Sequence, residues 1–152
     1  YNTKKNRAAW YKKLLSCGRV IIENKVEIGA CCTVDRGVSG DTIIGMGTKI
    51  DNMVHIGHDT QIEANCLFAA QVGIAGGVKI KSGVTIWGQA GVNKTLTIGE
   101  NAVVLSQAAV LSSIEGNKVY MGFPAEDASI KRRELVWIRR IPALWKKIME
   151  KE

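Results

Sequence analysis

An apolar residue recurs at every sixth position of the chain from Ile44 to Val110. A period of six differs from the 3.6-residue period of a helix and from the two-residue period of an alternating strand. It is typical of a β-solenoid, in which each hexad makes a short strand and a turn. Three hexads close one coil, so residues 18 apart are expected to lie one above the other, about 4.8 Å apart. The twelve apolar anchors are Ile44, Ile50, Ile56, Ile62, Phe68, Ile74, Ile80, Ile86, Val92, Ile98, Val104 and Val110.

Three earlier anchors, Ile22, Ile28 and Val34, bring the total to fifteen, enough for about five coils. A small or branched residue stands two positions before each anchor of the regular stretch. One coil cannot bury its own apolar face, so several coils must stack. The pattern therefore predicts a mainly β protein with a parallel β-helix domain over 20–125, preceded by a linker or short helix over 1–19.

The rhythm is interrupted once, between Val34 and Ile44, where the spacing is ten residues instead of six. The four extra residues fall within 35–41 and predict a loop that bulges from a corner, with opposite charges at its root on Asp35 and Arg36. Insertions in solenoids cluster on one face and often carry the binding function. A tolerated surface loop is the alternative interpretation.

After the hexads the pattern turns helical and predicts a C-terminal helical extension over 126–152. Proline lacks an N–H, so Pro142 is expected to break the helix. We therefore predict one helix over about 126–140 and a second over about 142–150. The apolar stripe of this extension, at i, i+4, i+7 and i+11, consists of Trp137, Ile141, Leu144 and Ile148.

The net charge of +7 is concentrated at the two ends of the chain. Residues 1–19 hold six basic residues and no acid, and 128–152 hold eight basic and three acidic residues, whereas 20–127 hold seven basic and eleven acidic residues. Basic ends suit an acidic protein, nucleic acid or anionic lipid, and a solubilising fringe is the alternative. Because no nucleic-acid motif and no run of 18 apolar residues accompanies them, we expect no nucleic-acid partner and at most peripheral membrane contact.

The cysteine pattern predicts reduced thiols in a cytoplasmic protein, since no C-x-x-C pair and no apolar leader segment is present. Two histidines, His55 and His58, are too few for a typical zinc site, and their i, i+3 spacing on a β wall splays them apart. We therefore expect no metal. The four cysteines are Cys17, Cys31, Cys32 and Cys66.

The candidate chemistry lies on a pair of residues 18 positions apart, His58 and Gly76. Each is the second residue after its anchor, so the two are predicted to be neighbours on adjacent coils. A neutral imidazole is a suitable general base near pH 7, and the adjacent Asp59 could fix its tautomer. A glycine N–H is unobstructed and could donate to the oxyanion of a thioester carbonyl under attack. The pair matches what acyl transfer requires. The alternative interpretation is an ordinary surface histidine and a turn glycine. The other histidine, His55, is expected to face outward on a flat wall.

Several short segments carry a resemblance to a known family. They are Asp35-Arg36-Gly37, Asp51-Asn52, His55-Ile56-Gly57-His58-Asp59, Ile74-Ala75-Gly76-Gly77-Val78 and the closing Gly122-Phe123-Pro124-Ala125. Over residues from about 14 to 135 the chain resembles the left-handed β-helix acyltransferases of lipid A synthesis, and among them the UDP-3-O-(3-hydroxyacyl)glucosamine N-acyltransferases. Gly77 favours this branch, because the related UDP-N-acetylglucosamine O-acyltransferases usually carry histidine after the oxyanion glycine.

The resemblance implies a left-handed coil, a homotrimer with active sites in the clefts between subunits, and no bound cofactor. His58 would deprotonate the 2-amine of UDP-3-O-acyl-glucosamine, and Gly76 would donate to the oxyanion. The donor would be a 3-hydroxyacyl chain on acyl carrier protein, attached as a phosphopantetheine thioester. The implied contacts to that acidic protein are Arg132, Arg133, Arg139 and Arg140. The implied substrate-binding residues are Asp35, Arg36, Asp51, Asn52, His55, Asp59, Gly77 and Thr95.

Three features depart from the family pattern. Its members have an N-terminal domain that helps to bind the uridine, and this chain lacks that domain. Some members carry a second active-site histidine where Thr95 stands. Near Ala109 and Leu111 some members carry larger residues that close the acyl groove, so the small Ala109 predicts a longer groove and a longer acyl chain.

Two other interpretations remain open. One is a UDP-N-acetylglucosamine O-acyltransferase, or another sugar acyltransferase or CoA-dependent acetyltransferase, on the same prism; its donor preference would distinguish it. The other is a catalytically inactive trimeric β-helix that serves as a scaffold or partner-binding fragment. Removal of the imidazole of His58 would distinguish an inactive scaffold from an enzyme.

Overall fold

The computed structural model describes residues 15–149, apart from the side chain of Lys147, and shows the left-handed parallel β-helix that the sequence predicts. Most of the linker or short helix predicted over 1–19 lies outside the described residues. Five complete coils of three strands follow one another. Their strands are β1 (Val20–Ile22), β2 (Glu27–Ile28), β3 (Thr33–Val34), β4 (Thr42–Ile44), β5 (Lys49–Ile50), β6 (His55–Ile56), β7 (Gln61–Ile62), β8 (Leu67–Phe68), β9 (Gly73–Ile74), β10 (Lys79–Ile80), β11 (Thr85–Ile86), β12 (Gly91–Val92), β13 (Thr97–Ile98), β14 (Val103–Val104) and β15 (Ala109–Val110).

Equivalent strands of successive coils pair in parallel and build the three walls of a prism. The register places anchor on anchor, as where Ile56 pairs with Ile74 and Ile74 with Val92. Between the first two coils the offset grows to 22 residues, with Val20 opposite Thr42, because the four-residue insertion lies between them. The walls are sheet 1 (β1-β4-β7-β10-β13), sheet 2, which begins β2-β5-β8-β11-β14, and sheet 3 (β3-β6-β9-β12-β15).

The anchors form the core of the prism. From Ile44 to Val110 no anchor is more than 4% exposed, which confirms that the hexad pattern reports the buried positions. The anchors of the first coil differ, since Ile22 and Ile28 are 52% and 40% exposed. The continuous core therefore begins at the second coil.

The chain turns most corners at the third residue after an anchor, which adopts a positive φ; the exceptions are Gly37 in the inserted loop and Ser113 after the last regular anchor. At the corner from sheet 3 to sheet 1 these residues are Asp59, Gly77 and Thr95, with φ of 57°, 72° and 57°. Glycine adopts this left-handed region without cost, whereas a β-branched residue such as threonine rarely does. The positive φ values occur at all three corners of the prism, and the corner that carries the histidine has both a glycine and a threonine among its turn residues.

Above the fifth coil the prism closes with a partial sixth coil. Ile114 forms a parallel bridge with Ile98, and β16 (Val119–Met121) adds to sheet 2 beside β14. β17 (Glu126–Asp127) then pairs with β16 in the antiparallel direction. This antiparallel strand covers the edge that a sheet end would otherwise expose.

One helix, α1 (Ala128–Met149), ends the described part of the chain. The prediction of two helices separated at Pro142 is wrong, because α1 continues through that residue. A proline removes the hydrogen bond to the carbonyl four residues before it, here that of Ile138, and the exposed position leaves this carbonyl to water. The helix also begins two residues later than predicted.

Only the beginning of α1 is held against the prism. The Asp127 carboxylate accepts the Ser129 N–H at 2.9 Å, as an N-cap does, and Lys131 pairs with Glu126 at 3.0 Å. Every described side chain from Arg132 to Met149 is exposed. Among the described residues there is no helix whose length and apolar character would let it cross a bilayer.

Candidate active site

The imidazole of His58 lies against the backbone of Gly76, one coil away. A Cβ atom built on Gly76 would come within 2.6 Å of His58 Nε2 and 2.7 Å of its Cε1. Only a residue without a side chain leaves room for the ring at this point. The prediction that these two residues are neighbours on adjacent coils is confirmed.

A carboxylate next in the chain orients that ring. His58 Nδ1 lies 2.8 Å from Asp59 Oδ2, which assigns the ring proton to Nδ1 and leaves the lone pair on Nε2. The side chain of His58 is 48% exposed, so solvent and substrate can reach Nε2. The ring is therefore held in the tautomer that can accept a proton beside the Gly76 peptide.

The second oxygen of Asp59 binds the inserted loop. Oδ1 accepts the backbone N–H groups of Val38, Ser39 and Gly40 at 3.0, 3.2 and 2.8 Å. Burial raises the pKa of Asp59, but the hydrogen bonds from His58 and from the loop outweigh it, so the pKa lies below the ordinary value. The carboxylate thus stays charged at neutral pH and can stabilise a protonated His58.

A buried threonine ties the same loop to the corner. The Thr42 hydroxyl accepts the Asp59 N–H at 3.0 Å and donates to the Asp35 carbonyl at 2.8 Å. Thr42 has no exposed surface. The sequence analysis did not identify this residue, although a threonine recurs two positions before several anchors and could have signalled it.

The backbone ladder holds Gly76 from both sides. The Gly77 N–H donates to the His58 carbonyl at 2.8 Å, and the Thr95 N–H donates to the Gly76 carbonyl at 3.0 Å. Within residues 15–149 the N–H of Gly76 itself takes no part in this ladder. It is therefore free to donate to a ligand next to the His58 ring.

The second imidazole lies on the outer face of sheet 3, as predicted. His55 Nδ1 is 2.8 Å from the Thr33 hydroxyl, and its Nε2 is 3.9 Å from Asp35 Oδ2. Arg36 turns elsewhere, because its Nε donates to the Gly18 carbonyl at 2.9 Å. Of the two charges at the root of the loop, the structure thus places Asp35 beside a site histidine and uses Arg36 to hold the loop.

An open groove of about 480 Å³ runs along sheet 3 from His55 to Leu111. Its floor includes Gly73 and Gly91, and a Cβ atom at either position would meet nothing within 4 Å. Ala109 lies at its far end, in register with Gly91. The two residues predicted to line an acyl groove, Ala109 and Leu111, therefore share one groove with His55.

Two predicted substrate-binding residues lie at another corner, between sheets 2 and 3. Asn52 Oδ1 accepts the Ala30 N–H at 2.7 Å, and the Asp51 carbonyl accepts the Cys32 thiol at 2.9 Å. Within one chain the structure does not bring them to His58. The family resemblance had implied that they belong to one site with His58, but within one chain sheet 3 separates the two corners.

The four arginines predicted to contact a carrier protein lie on α1. All four are exposed, and among the described residues no carboxylate pairs with them. Arg140 stacks over Trp137, 5.4 Å from the ring centroid. They form no part of the site around His58, and their proposed contacts stay a prediction.

Replacing Gly76 with alanine places a methyl group against the His58 ring, so we expect the ring to turn away from the peptide. Imidazole nitrogen chemical shifts followed over a pH titration measure this change. Gly73→Ala is the matched control, because its added methyl group meets no atom within 4 Å. Identical His58 spectra in wild type and Gly76→Ala would contradict this packing.

Asp59→Asn removes the charge that binds the loop. Because the folded-state pKa of Asp59 is depressed, its stabilisation is complete above the unfolded-state pKa of about 4 and is lost as the pH falls through the folded value. At pH 7 we expect the free energy of unfolding to drop by about 1–3 kcal/mol, and the difference from wild type to shrink below about pH 4. Denaturant titrations between pH 7 and 2 measure the free energy of unfolding, and Asp51→Asn is the control. If Asp59→Asn is less stable than wild type by the same amount at every pH, the charge is excluded as the cause.

Known proteins resemble this chain in sequence and in fold. The family model described as bacterial transferase hexapeptide (six repeats) matches residues 41–76. A UDP-3-O-acylglucosamine N-acyltransferase of Campylobacter lari is 46% identical over 112 residues, which is 74% of this chain and 35% of that protein. The protein of the same name from Caulobacter sp. is 42% identical over 123 residues, 81% of this chain and 36% of that protein.

A solved structure shows the same prism. The Arabidopsis UDP-N-acetylglucosamine acyltransferase matches with a TM-score of 0.70 and 27% identity, over 72% of this chain and 38% of that one. The chain thus spans little more than a third of the length of these relatives. Its hexads, its prism and its sequence identity make the chain similar, over the part that it covers, to the UDP-3-O-acylglucosamine N-acyltransferases and to other hexapeptide-repeat transferases.

Proposed function

We propose that the protein transfers a 3-hydroxyacyl chain from acyl carrier protein to the 2-amine of UDP-3-O-acyl-glucosamine, a step of lipid A synthesis. The observation that supports this most is the contact between the His58 ring and the Gly76 peptide, beside an open groove. A base and an oxyanion donor at one point, next to space for a chain, are what acyl transfer requires. The name shared by the relatives supports the choice of sugar and of amide product.

The proposed reaction uses both groups at once. The 2-amine nitrogen attacks the thioester carbon, and Nε2 of His58 takes the proton that the nitrogen loses. The carbonyl oxygen becomes an oxyanion that accepts the N–H of Gly76. When the intermediate collapses, the carbon–sulfur bond breaks and the departing thiolate takes the proton from His58. An amide and free phosphopantetheine thiol result, with Asp59 stabilising the transient imidazolium.

The groove on sheet 3 is the proposed place of the acyl chain. It crosses three coil spacings between His55 and Ala109, or roughly 14 Å. His55 and Asp35 lie at its polar end and would contact the polar groups of the substrates. Because the floor is made of glycine, the acyl chain would contact the protein backbone there and the apolar side chain of Leu111 at the rim.

The remaining candidate residues require partners. In a homotrimer, Asp51 and Asn52 of a neighbouring subunit would reach the cleft from their own corner. Gly77 and Thr95 lie at the corner of His58 and would border the bound sugar. The basic side of α1, over 132–140, would contact the acidic carrier protein. The donor carries its own phosphopantetheine group, so the proposed reaction needs no cofactor bound to this chain.

Transfer to a hydroxyl group is a second candidate, because the same base and N–H would serve it equally. The similarity to the Arabidopsis UDP-N-acetylglucosamine acyltransferase favours it. Gly77, where the resemblance to that branch predicts histidine, argues for the amine. Intact-mass analysis followed by hydroxylamine treatment distinguishes them, since hydroxylamine cleaves an ester product and leaves an amide intact.

His58→Ala removes the proposed base, so kcat should fall by about 10²–10⁴. Product formation from UDP-3-O-acyl-glucosamine and 3-hydroxyacyl carrier protein, followed by intact mass, measures it. His55→Ala serves as the second-imidazole control, and we expect a smaller loss. Undiminished turnover without the imidazole of residue 58 would exclude the mechanism.

Ala109→Met fills the far end of the groove, so we expect preference to shift toward shorter acyl chains. Competition between carrier proteins loaded with chains of two lengths gives the ratio of kcat/KM values directly. Ala64→Met, at the corner between sheets 1 and 2, adds the same side chain away from the groove. Unchanged selectivity in Ala109→Met would place the acyl chain elsewhere.

A further inference from the structure

Three threonines are fully buried in the wall of the prism, and each uses its hydroxyl on the backbone. They occupy equivalent positions, two residues before an anchor. One of them, Thr60, donates its hydroxyl to the carbonyl of Ala75 at 3.2 Å. The three are Thr42, Thr48 and Thr60, and none has exposed surface.

The carbonyl that Thr60 binds belongs to the peptide unit of the candidate oxyanion donor. The C=O of Ala75 and the N–H of Gly76 share one planar trans peptide, in which they point in opposite directions. The bond to a buried hydroxyl holds this C=O toward the interior, so the Gly76 N–H points away from the interior. Among the described residues the Thr60 hydroxyl is the only donor to this carbonyl.

The consequence for catalysis follows from the geometry of an oxyanion site. A backbone donor stabilises a developing charge only if it already points at the place where the charge forms. The two ladder bonds, from the Gly77 N–H and to the Gly76 carbonyl, both fix the one peptide between Gly76 and Gly77, but not the peptide between Ala75 and Gly76. The Thr60 hydroxyl supplies the missing restraint from inside the prism.

We propose that Thr60 is a positioning residue for acyl transfer, which holds the Gly76 N–H in the direction of the oxyanion. This inference rests on the proposed function of Gly76. Thr60 touches no substrate, so its effect reaches the reaction only through the peptide plane.

Thr60→Val removes the hydroxyl and keeps the shape of the side chain. We expect kcat to fall about fivefold, the rate equivalent of one net hydrogen bond, with KM for both substrates unchanged. Thr60→Ser keeps a hydroxyl and should restore most of the rate. Thr48→Val is the matched control, because Thr48 donates to the Glu63 carbonyl at 3.4 Å from the same wall position at a different corner.

A second measurement does not depend on turnover. The ¹⁵N order parameter of the Gly76 amide should fall in Thr60→Val and stay at the wild-type value in Thr48→Val, while both variants lose similar thermal stability. An unchanged order parameter in Thr60→Val, or equal kcat in the two valine variants, would overturn the inference. Loss of the proposed function has a different signature, namely full activity of His58→Ala with the Gly76 order parameter still dependent on Thr60.

Discussion

The stacking of each apolar anchor on the anchor of the next coil is the interaction on which the rest of the molecule depends. Burial of one such side chain stabilises the fold by about 1.5–3 kcal/mol relative to exposure. Because no anchor between Ile44 and Val110 is more than 4% exposed, a shift of register would expose a whole column at once. The same register fixes every outward position, so residues with equal offsets from their anchors form columns along the prism.

One of these columns carries both the candidate base and the candidate oxyanion donor. His58 and Gly76 have the same offset, and the turn residues beside them, Asp59 and Gly77, both adopt the left-handed conformation. The inserted loop supports this corner, because three of its N–H groups donate to the carboxylate that also orients the histidine. The insertion that interrupts the hexad pattern thus stabilises the carboxylate beside the candidate base.

Buried hydroxyl groups contribute a second layer of support. An interior built from isoleucine and valine offers nothing to the carbonyls that turn inward at the corners, and an unpaired buried carbonyl is costly. The hydroxyl groups of Thr42 and Thr60 donate to two carbonyls near the site, those of Asp35 and Ala75. Packing and positioning are therefore served by the same residues.

The sixfold period was enough to predict the prism, the adjacency of His58 and Gly76, and the outward direction of His55, because it repeats one local geometry and leaves a single register. The sequence identified α1 as helical but not its passage through Pro142, which exposure to water makes tolerable. The residues that support the site, and those that lie apart from it, such as Asp51 at another corner, became identifiable only from the folded chain. The bonds of Asp59 to the loop and of Thr60 to Ala75 join residues 15 to 21 positions apart, and their geometry depends on how each corner closes.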